Sequence, residues 1–180
     1  MPDPESAAQS FYTRYARLYD VVARHTPGVS RLRSRVVNAL DPRPGETVVE
    51  MGCGTGANLP DLRERGGPGG RGVGLDFAPG PLAVARERTE AWANVVVARA
   101  DARRPPVDAA DGVLATFVVG MLDAPASAVE TWCALLPSGG RLALLDLART
   151  TRPAARPLNL GFRAVVAASS PPGSTAPPRY

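Results

Sequence analysis

One segment in the first half of the chain constrains the fold more than any other. Residues 47–51 form a short apolar run, and Gly52, Gly54 and Gly56 follow it before a helical pattern over Asn58–Arg65. Glycines here let the chain turn tightly and let a ligand approach the backbone, while free N–H groups at a helix start attract negative charge. The segment therefore predicts a buried strand, a ligand-binding turn and a helix, as in the first unit of a parallel α/β sheet.

The rest of the chain repeats this alternation of short apolar runs and helical patterns. Parallel strands joined by crossover helices have this signature. Right-handed crossovers then predict an α/β protein with a doubly wound, Rossmann-like, mostly parallel sheet and helices on both faces. Its ligand site would lie at the carboxyl ends of the strands. The remaining predicted strands are Gly72–Leu75, Asn94–Ala98, Gly112–Val118 and Arg141–Leu147, and the helices between them are Pro81–Ala91 and Ala126–Leu136.

Both ends of the chain differ from this core. Apolar spacing predicts a helix over residues 6–24 and a second over Ser30–Leu40, which ends at a proline-rich turn. Leu158–Ala168 predicts one more helix, and the Pro- and Ser-rich end is expected to be flexible. We expect one domain with a helical cap at residues 1–44, a core at 45–150 and a C-terminal part at 151–180.

The composition excludes several classes of protein. All 21 basic residues are arginine, so a Schiff-base lysine, a P-loop lysine and a Tyr-x-x-x-Lys pair are ruled out. The net charge of +4 is modest and the arginines are dispersed, which does not indicate nucleic-acid binding. Cys53, Cys133 and His25 lack metal-ligand spacing, so no metal is expected. With no signal peptide and no apolar run of about 18 residues, we expect a cytoplasmic protein without an integral membrane segment.

The glycine turn by itself fits two kinds of nucleotide ligand. The pattern Gly-x-Gly-x-x-Ala at residues 52–57, with Asp76 near the expected acidic position, also satisfies the dinucleotide fingerprint. Glu50 ends the first strand, however, where a pyrophosphate would meet a like charge and the ammonium of a methionine moiety would meet a partner. Asp101 follows the third strand and can accept a hydrogen bond from an adenine amino group. Because the chain also offers no hydride-transfer partner set, an NAD(P)-dependent oxidoreductase is the less favoured alternative.

Four ordered segments resemble the signatures of class I S-adenosylmethionine-dependent methyltransferases. They are Glu-Met-Gly-Cys-Gly-Thr-Gly at residues 50–56, Gly-Leu-Asp-Phe at 74–77, Arg-Ala-Asp-Ala at 99–102 and Leu-Pro-Ser-Gly-Gly-Arg at 136–141. The resemblance covers about residues 10–150. It implies strand order 3-2-1-4-5, S-adenosyl-L-methionine as cofactor and methyl transfer to a small-molecule or lipid-like acceptor.

The resemblance also implies which residues bind the cofactor. In this family the acid of the second signature binds the ribose hydroxyls and its neighbour packs on adenine, which points to Asp76 and Phe77. The acid of the third signature and its neighbour bracket the adenine, which points to Asp101 and Ala102. Phe117, at the end of the fourth strand, is expected to present its backbone or ring to the cofactor. The other expected cofactor-binding residues are Tyr19, Glu50, Gly52, Cys53, Gly54, Gly56 and Asn58.

The sequence of the predicted first helix points to a smaller group within this family. Residues 11–20 are similar to the first helix of small-molecule and lipid-headgroup methyltransferases, including the ubiquinone/menaquinone and phosphatidylethanolamine N-methyltransferase groups. A tyrosine of that helix reaches the cofactor pocket, which implies this role for Tyr19. Val118, Val119 and Met121 are expected to line the acceptor side. No catalytic acid or base is assigned.

The region after the fifth strand departs from the family. Class I domains usually continue there with a helix and two more strands, and residues 148–180 show no such pattern. The expected sheet therefore lacks its C-terminal strand pair and has an apolar edge that a second copy of the chain or residues 158–168 would cover. An active methyltransferase and a non-catalytic cofactor-binding remnant both remain open.

Overall fold

The computed structural model describes residues 27–146. Predictions for the helix at residues 6–24 and for Tyr19 lie outside the described residues. So do those for the Leu158–Ala168 helix and for the tail after it.

Between residues 27 and 146, five strands alternate with four α-helices. This is the alternation expected from the apolar runs. In chain order the elements are α1 (Pro27–Leu40), β1 (Thr47–Met51), α2 (Leu59–Gly66), β2 (Arg71–Asp76), α3 (Pro79–Thr89), β3 (Val95–Arg99), β4 (Gly112–Thr116), a 3₁₀ turn (Val119–Met121), α4 (Pro125–Ala134) and β5 (Arg141–Leu145).

The strands form one parallel sheet in the order β3-β2-β1-β4-β5, which confirms the predicted fold and strand order. β1 lies at its centre, and Glu50 is in register with Gly74 of β2 and Leu114 of β4. Because the strands are parallel, the carboxyl ends of β2, β1 and β4 lie side by side. The order changes direction beside β1, which is where such sheets form a ligand crevice.

The core has one layer on each face of the sheet. On one face Val49, Met51 and Leu75 pack with Trp132 of α4. On the other face Val48 and Leu114 pack with α1 and α2. β1 and β4 are thus buried on both sides, which is why their sequences are nearly continuous apolar runs.

β4 ends earlier than predicted. The expected strand reached Val118, but the structure ends it at Thr116 because Phe117 has a φ of 61°, in the left-handed region. The sequence does not reveal this turn, because the residues after Phe117 are apolar, like most of those before it. α1 also begins at Pro27, three residues before the predicted start, with a proline in the first turn where its missing N–H costs nothing.

Candidate functional site

The glycine turn after β1 has the close approach that its sequence predicts. Gly52 and Gly56 have φ values of 65° and 72°, which favour glycine. A Cβ on Gly52 would lie well inside van der Waals contact with Val118, and one on Gly56 would lie 2.9 Å from Leu59 Cδ1. The turn therefore brings its backbone directly under the loop that follows β4.

Asp76 connects this turn to the start of α3 through two hydrogen bonds. The Gly54 N–H donates to one oxygen of its carboxylate at 2.8 Å, and the Ala78 N–H, at the start of α3, donates to the other at 2.9 Å. Burial raises the pKa of Asp76, while these backbone hydrogen bonds act in the opposite direction. With a further backbone hydrogen bond from Phe77, about one of the four acceptor sites of the carboxylate is left for a ligand hydroxyl.

Glu50 is a fully buried carboxyl group at the end of β1. Asn58 Nδ2 donates to its Oε1 at 2.5 Å, whereas its Oε2 is buried and has no hydrogen-bond partner among the residues the structure describes. Burial raises the pKa of Glu50 to about 7, against the lowering effects of Arg33 and of the Asn58 hydrogen bond. Burial thus favours the neutral form of this carboxyl group, while Arg33 and Asn58 favour the ionised form.

Arg33 and Thr116 also belong to this site, although the sequence did not single them out. Arg33 Nη1 donates to Thr116 Oγ1 at 3.0 Å, and Asn58 Nδ2 donates to the same hydroxyl oxygen at 3.1 Å. The Arg33 guanidinium also lies 5.1 Å from the centre of the Phe117 ring.

A signal for Arg33 was present in the helical spacing. Arg33 stands three, four and seven residues before Val36, Val37 and Leu40, the buried residues of α1. These offsets share one helix face, so the arginine occupies a core-facing position. A charged residue is seldom found at such a position unless it is paired.

Phe117 and the residues after it form the loop above the turn. The Phe117 N–H donates to the Leu145 carbonyl at 2.7 Å, which fixes the left-handed turn against β5. Val118 is buried over Gly52. Val119 is partly buried and Met121 is 54% exposed, so only part of this predicted acceptor side is open to solvent.

Phe77, Asp101 and Ala102 lie together at the ends of β2 and β3, because Asp76 is in register with Arg99. Phe77 is 37% exposed, and the Ala102 carbonyl accepts a hydrogen bond from Trp132 Nε1 at 2.7 Å.

Asp101 already has a protein partner. Arg103 Nε lies 3.0 Å from both of its carboxylate oxygens, and this contact holds the pKa of Asp101 below its usual range. A ligand amino group would have to share this carboxylate with Arg103.

Cys53 is buried in the glycine turn, where it contacts the backbone of β2. Its backbone N–H donates to the Leu75 carbonyl at 2.9 Å, and its buried Sγ would be 3.0 Å from a Cβ on Gly74. Burial, with Glu50 and Asp76 nearby, raises the pKa of the Cys53 thiol well above its ordinary value. The thiol stays neutral and packs the turn against β2.

The structure thus places the expected residues in two neighbouring groups and leaves one outside. Tyr19 lies outside residues 27–146. Asp101, Ala102 and Phe77 gather at β2 and β3. The group around the end of β1 comprises Glu50, Gly52, Cys53, Gly54, Gly56, Asn58, Asp76 and Phe117.

Comparisons with known proteins agree with this arrangement. A family model described as a methyltransferase domain matches residues 49–144. The 2-phytyl-1,4-naphtoquinone methyltransferase of Thermosynechococcus vestitus is 34% identical over 143 residues, covering 77% of this chain and 63% of that protein. Nocamycin O-methyltransferase of Saccharothrix syringae is 36% identical over 141 residues, covering 74% and 48%. The chain therefore spans about half to just under two thirds of the length of these two relatives.

Solved structures share the fold. A SAM-dependent methyltransferase from Aquifex aeolicus superposes with a TM-score of 0.62 at 19% identity, over 78% of this chain and 76% of that one. This identity is low enough that the likeness concerns the fold alone.

No helix within residues 27–146 is both long and apolar enough to cross a membrane.

Proposed function

This chain belongs to the class I S-adenosylmethionine-dependent methyltransferase family, and from that membership we propose that it transfers a methyl group from S-adenosylmethionine to a small-molecule acceptor. The observation that carries the proposal is the environment of Glu50. Its carboxyl group lies fully buried beside a glycine turn, and one of its oxygens has no hydrogen-bond partner within residues 27–146. A cationic amino group would satisfy this oxygen, whereas a pyrophosphate would be repelled by it.

The residues present fit the cofactor that the family implies. Glu50 would pair with the ammonium of the methionine moiety, and Asp76 has an acceptor site left for a ribose hydroxyl. In the glycine turn, the space beside the Gly54 backbone is open to close approach. Phe77, with more than a third of its surface exposed, offers a ring face for adenine.

The chemistry requires little from the protein beyond placement. S-adenosylmethionine, when bound, supplies a methyl group on a positively charged sulfur that leaves as a neutral thioether. Displacement in line gains mainly from holding donor and acceptor close and aligned and from excluding water. The chain's part is to orient the two ligands through Glu50, Asp76 and the Phe117 loop, and we assign no general acid or base.

We propose an apolar or lipid-like small molecule as the acceptor. Val118, Val119 and Met121 follow β4 at the mouth of the site, and apolar side chains there suit a hydrophobic partner. The two curated relatives described above are named for a phytyl naphthoquinone and for nocamycin, which supports a small molecule over a nucleic acid.

Asp76→Ala tests the cofactor part of the proposal. Removing the carboxylate should weaken binding of S-adenosylhomocysteine by about 1.5 to 3 kcal/mol, since a charged hydrogen-bond acceptor is lost. Isothermal titration calorimetry measures this loss, with the exposed Asp108→Ala as the matched control. Unchanged affinity in Asp76→Ala would exclude the ribose role, and tight NADH binding without S-adenosylhomocysteine binding would favour the oxidoreductase.

Turnover separates an enzyme from a cofactor-binding remnant. The wild-type protein should produce S-adenosylhomocysteine when it is incubated with S-adenosylmethionine and a panel of hydroxylated quinones and polyketides. Binding without product across the panel would favour the non-catalytic alternative. The two curated relatives described above are named as methyltransferases, which supports an active enzyme over that alternative.

The proposal extends to assembly and organisation. Leu144 of the edge strand β5 is 42% exposed, and we propose that a second copy of the chain covers this edge. Light scattering should then give about twice the 18.8 kDa mass of the chain. A mass of one chain would refute the homodimer. The cap, core and tail organisation and the cytoplasmic location stay predictions from the sequence.

A further inference from the structure

A buried network connects α1 to the carboxyl group at the end of β1. Arg33 of α1 bonds Thr116 of β4, Thr116 accepts from Asn58, and Asn58 donates to Glu50. We propose that Arg33 is a positioning residue that favours the ionised form of the Glu50 carboxyl group and holds it toward the ammonium of the cofactor. This inference rests on the proposed function.

Arg33 and the other residues of this network are buried, so the positive charge of Arg33 acts on the others with little screening by water. Its side chain is 8% exposed, Thr116 is 4% exposed, and Asn58 and Glu50 are fully buried. A guanidinium does not lose its proton in a protein, so a positive charge is fixed within this network. Water screens buried charges much less than it screens charges on the surface.

The other groups around Glu50 do not provide this charge. Asp76, from β2, repels a second negative charge. Cys53 in the turn is a neutral thiol, and Asn58 and Thr116 contribute hydrogen bonds without charge. Among these neighbours, Arg33 is the cation that favours the ionised carboxylate.

The unpartnered atoms point to a ligand. Arg33 Nε, Glu50 Oε2 and Asn58 Oδ1 are buried without a hydrogen-bond partner in the part of the chain that the structure describes. Buried polar atoms in proteins are almost always paired. Two of these atoms, Glu50 Oε2 and Asn58 Oδ1, are acceptors that suit the hydrogens of an ammonium, and the network orients both side chains.

A direct measurement follows the ionisation of Glu50 itself. In protein labelled with ¹³C at the glutamate carboxyl carbons, NMR titration should give Glu50 a midpoint near pH 7, with Glu50→Gln assigning the signal. Arg33→Gln keeps a hydrogen-bonding side chain but removes the charge, so the midpoint should rise by about one pH unit or more. Arg33→Lys keeps the charge and should leave the midpoint near that of the wild type. An unchanged midpoint in Arg33→Gln would overturn the proposal.

Ligand-binding measurements distinguish a positioning role of Arg33 from a direct contact between Arg33 and the ligand. S-adenosylhomocysteine carries the ammonium, whereas 5′-methylthioadenosine lacks the amino-acid part. Wild-type affinity for S-adenosylhomocysteine should rise with pH through the Glu50 midpoint, and affinity for 5′-methylthioadenosine should stay flat. In Arg33→Gln the rise should move to higher pH.

Two results would overturn the role of Arg33. An equal loss of affinity for both ligands would make Arg33 merely structural, and a pH-independent loss for S-adenosylhomocysteine alone would make it a direct ligand contact. If Arg33→Gln does not fold, Arg33→Met has the same expected effect, with circular dichroism as the check on folding. If the wild type binds neither ligand, the proposed function fails, and the NMR titration still decides whether Arg33 controls Glu50.

Discussion

At the scale of single residues, the contact between Gly52 and Val118 decides how closely two loops meet. Gly52 belongs to the turn after β1, and Val118 belongs to the loop after β4. Their approach leaves no room for a side chain on Gly52. Gly54, two residues later, also has a positive φ, but a Cβ there would meet nothing within 4 Å.

Gly52→Ala should therefore destabilise the protein more than Gly54→Ala. Both variants force an alanine into the left-handed region, at about 1–2 kcal/mol. Gly52→Ala adds a clash with a β-branched side chain, so we expect a total loss of about 2–4 kcal/mol in the free energy of unfolding. Urea denaturation measures both. Equal losses in the two variants would show that Val118 moves aside without cost.

Asp101 shows at the same scale how a neighbour changes an expected role. The third signature implied a carboxylate available to adenine. In the structure Arg103 holds both of its oxygens, so the side chain is already engaged. We still propose Asp101 and Ala102 as adenine neighbours, through their position beside Phe77.

At the scale of secondary-structure elements, α4 contacts the loop after β3 through one buried side chain. Trp132 is fully buried between the helix and the sheet, and its indole N–H donates to the Ala102 carbonyl in the loop after β3. One side chain thus fills the core and fixes the loop proposed to contact adenine.

Trp132→Phe should cost about 2–4 kcal/mol of unfolding free energy. The smaller ring leaves unfilled volume, and the Ala102 carbonyl loses its donor. Chemical denaturation provides the measurement, with Trp92→Phe as the control. Trp92 is partly buried, and its ring faces Arg63, a contact that phenylalanine can keep. We expect that control to lose about 1 kcal/mol or less, and a larger loss in Trp92→Phe than in Trp132→Phe would contradict this account.

At the scale of the whole molecule, the buried acids make stability depend on pH. The pKa of Glu50 rises from 4.5 to about 7 on folding, so between these values the folded protein binds more protons than the unfolded chain. Its stability must then fall as pH rises through this window. The raised pKa of Asp76 acts in the same direction. The lowered pKa of Asp101 matters only in more acidic solution.

We expect the ligand-free protein to lose about 3 kcal/mol of stability between pH 4.5 and 7 through Glu50. Urea denaturation across this range measures the loss, and Glu50→Gln should show a much flatter profile. A wild-type stability that rises over the same range, or a Glu50→Gln profile equal to that of the wild type, would show that Glu50 is not perturbed. S-adenosylhomocysteine should reduce the fall, because its ammonium favours the ionised form.

The sequence by itself determined the architecture and named the candidate residues at the carboxyl ends of the strands. Apolar runs of strand length, glycines after β1 and acids at the ends of β1 and β2 and after β3 are local patterns. Parallel strands necessarily bring their carboxyl ends to one edge. That is why Glu50 and Asp76 could be named before the structure. The tertiary structure alone decided that β4 ends at Thr116, because the left-handed turn at Phe117 leaves no trace in an apolar run. It also decided that Arg33 reaches Thr116, since 83 residues separate them along the chain and only packing of α1 on the sheet brings them together.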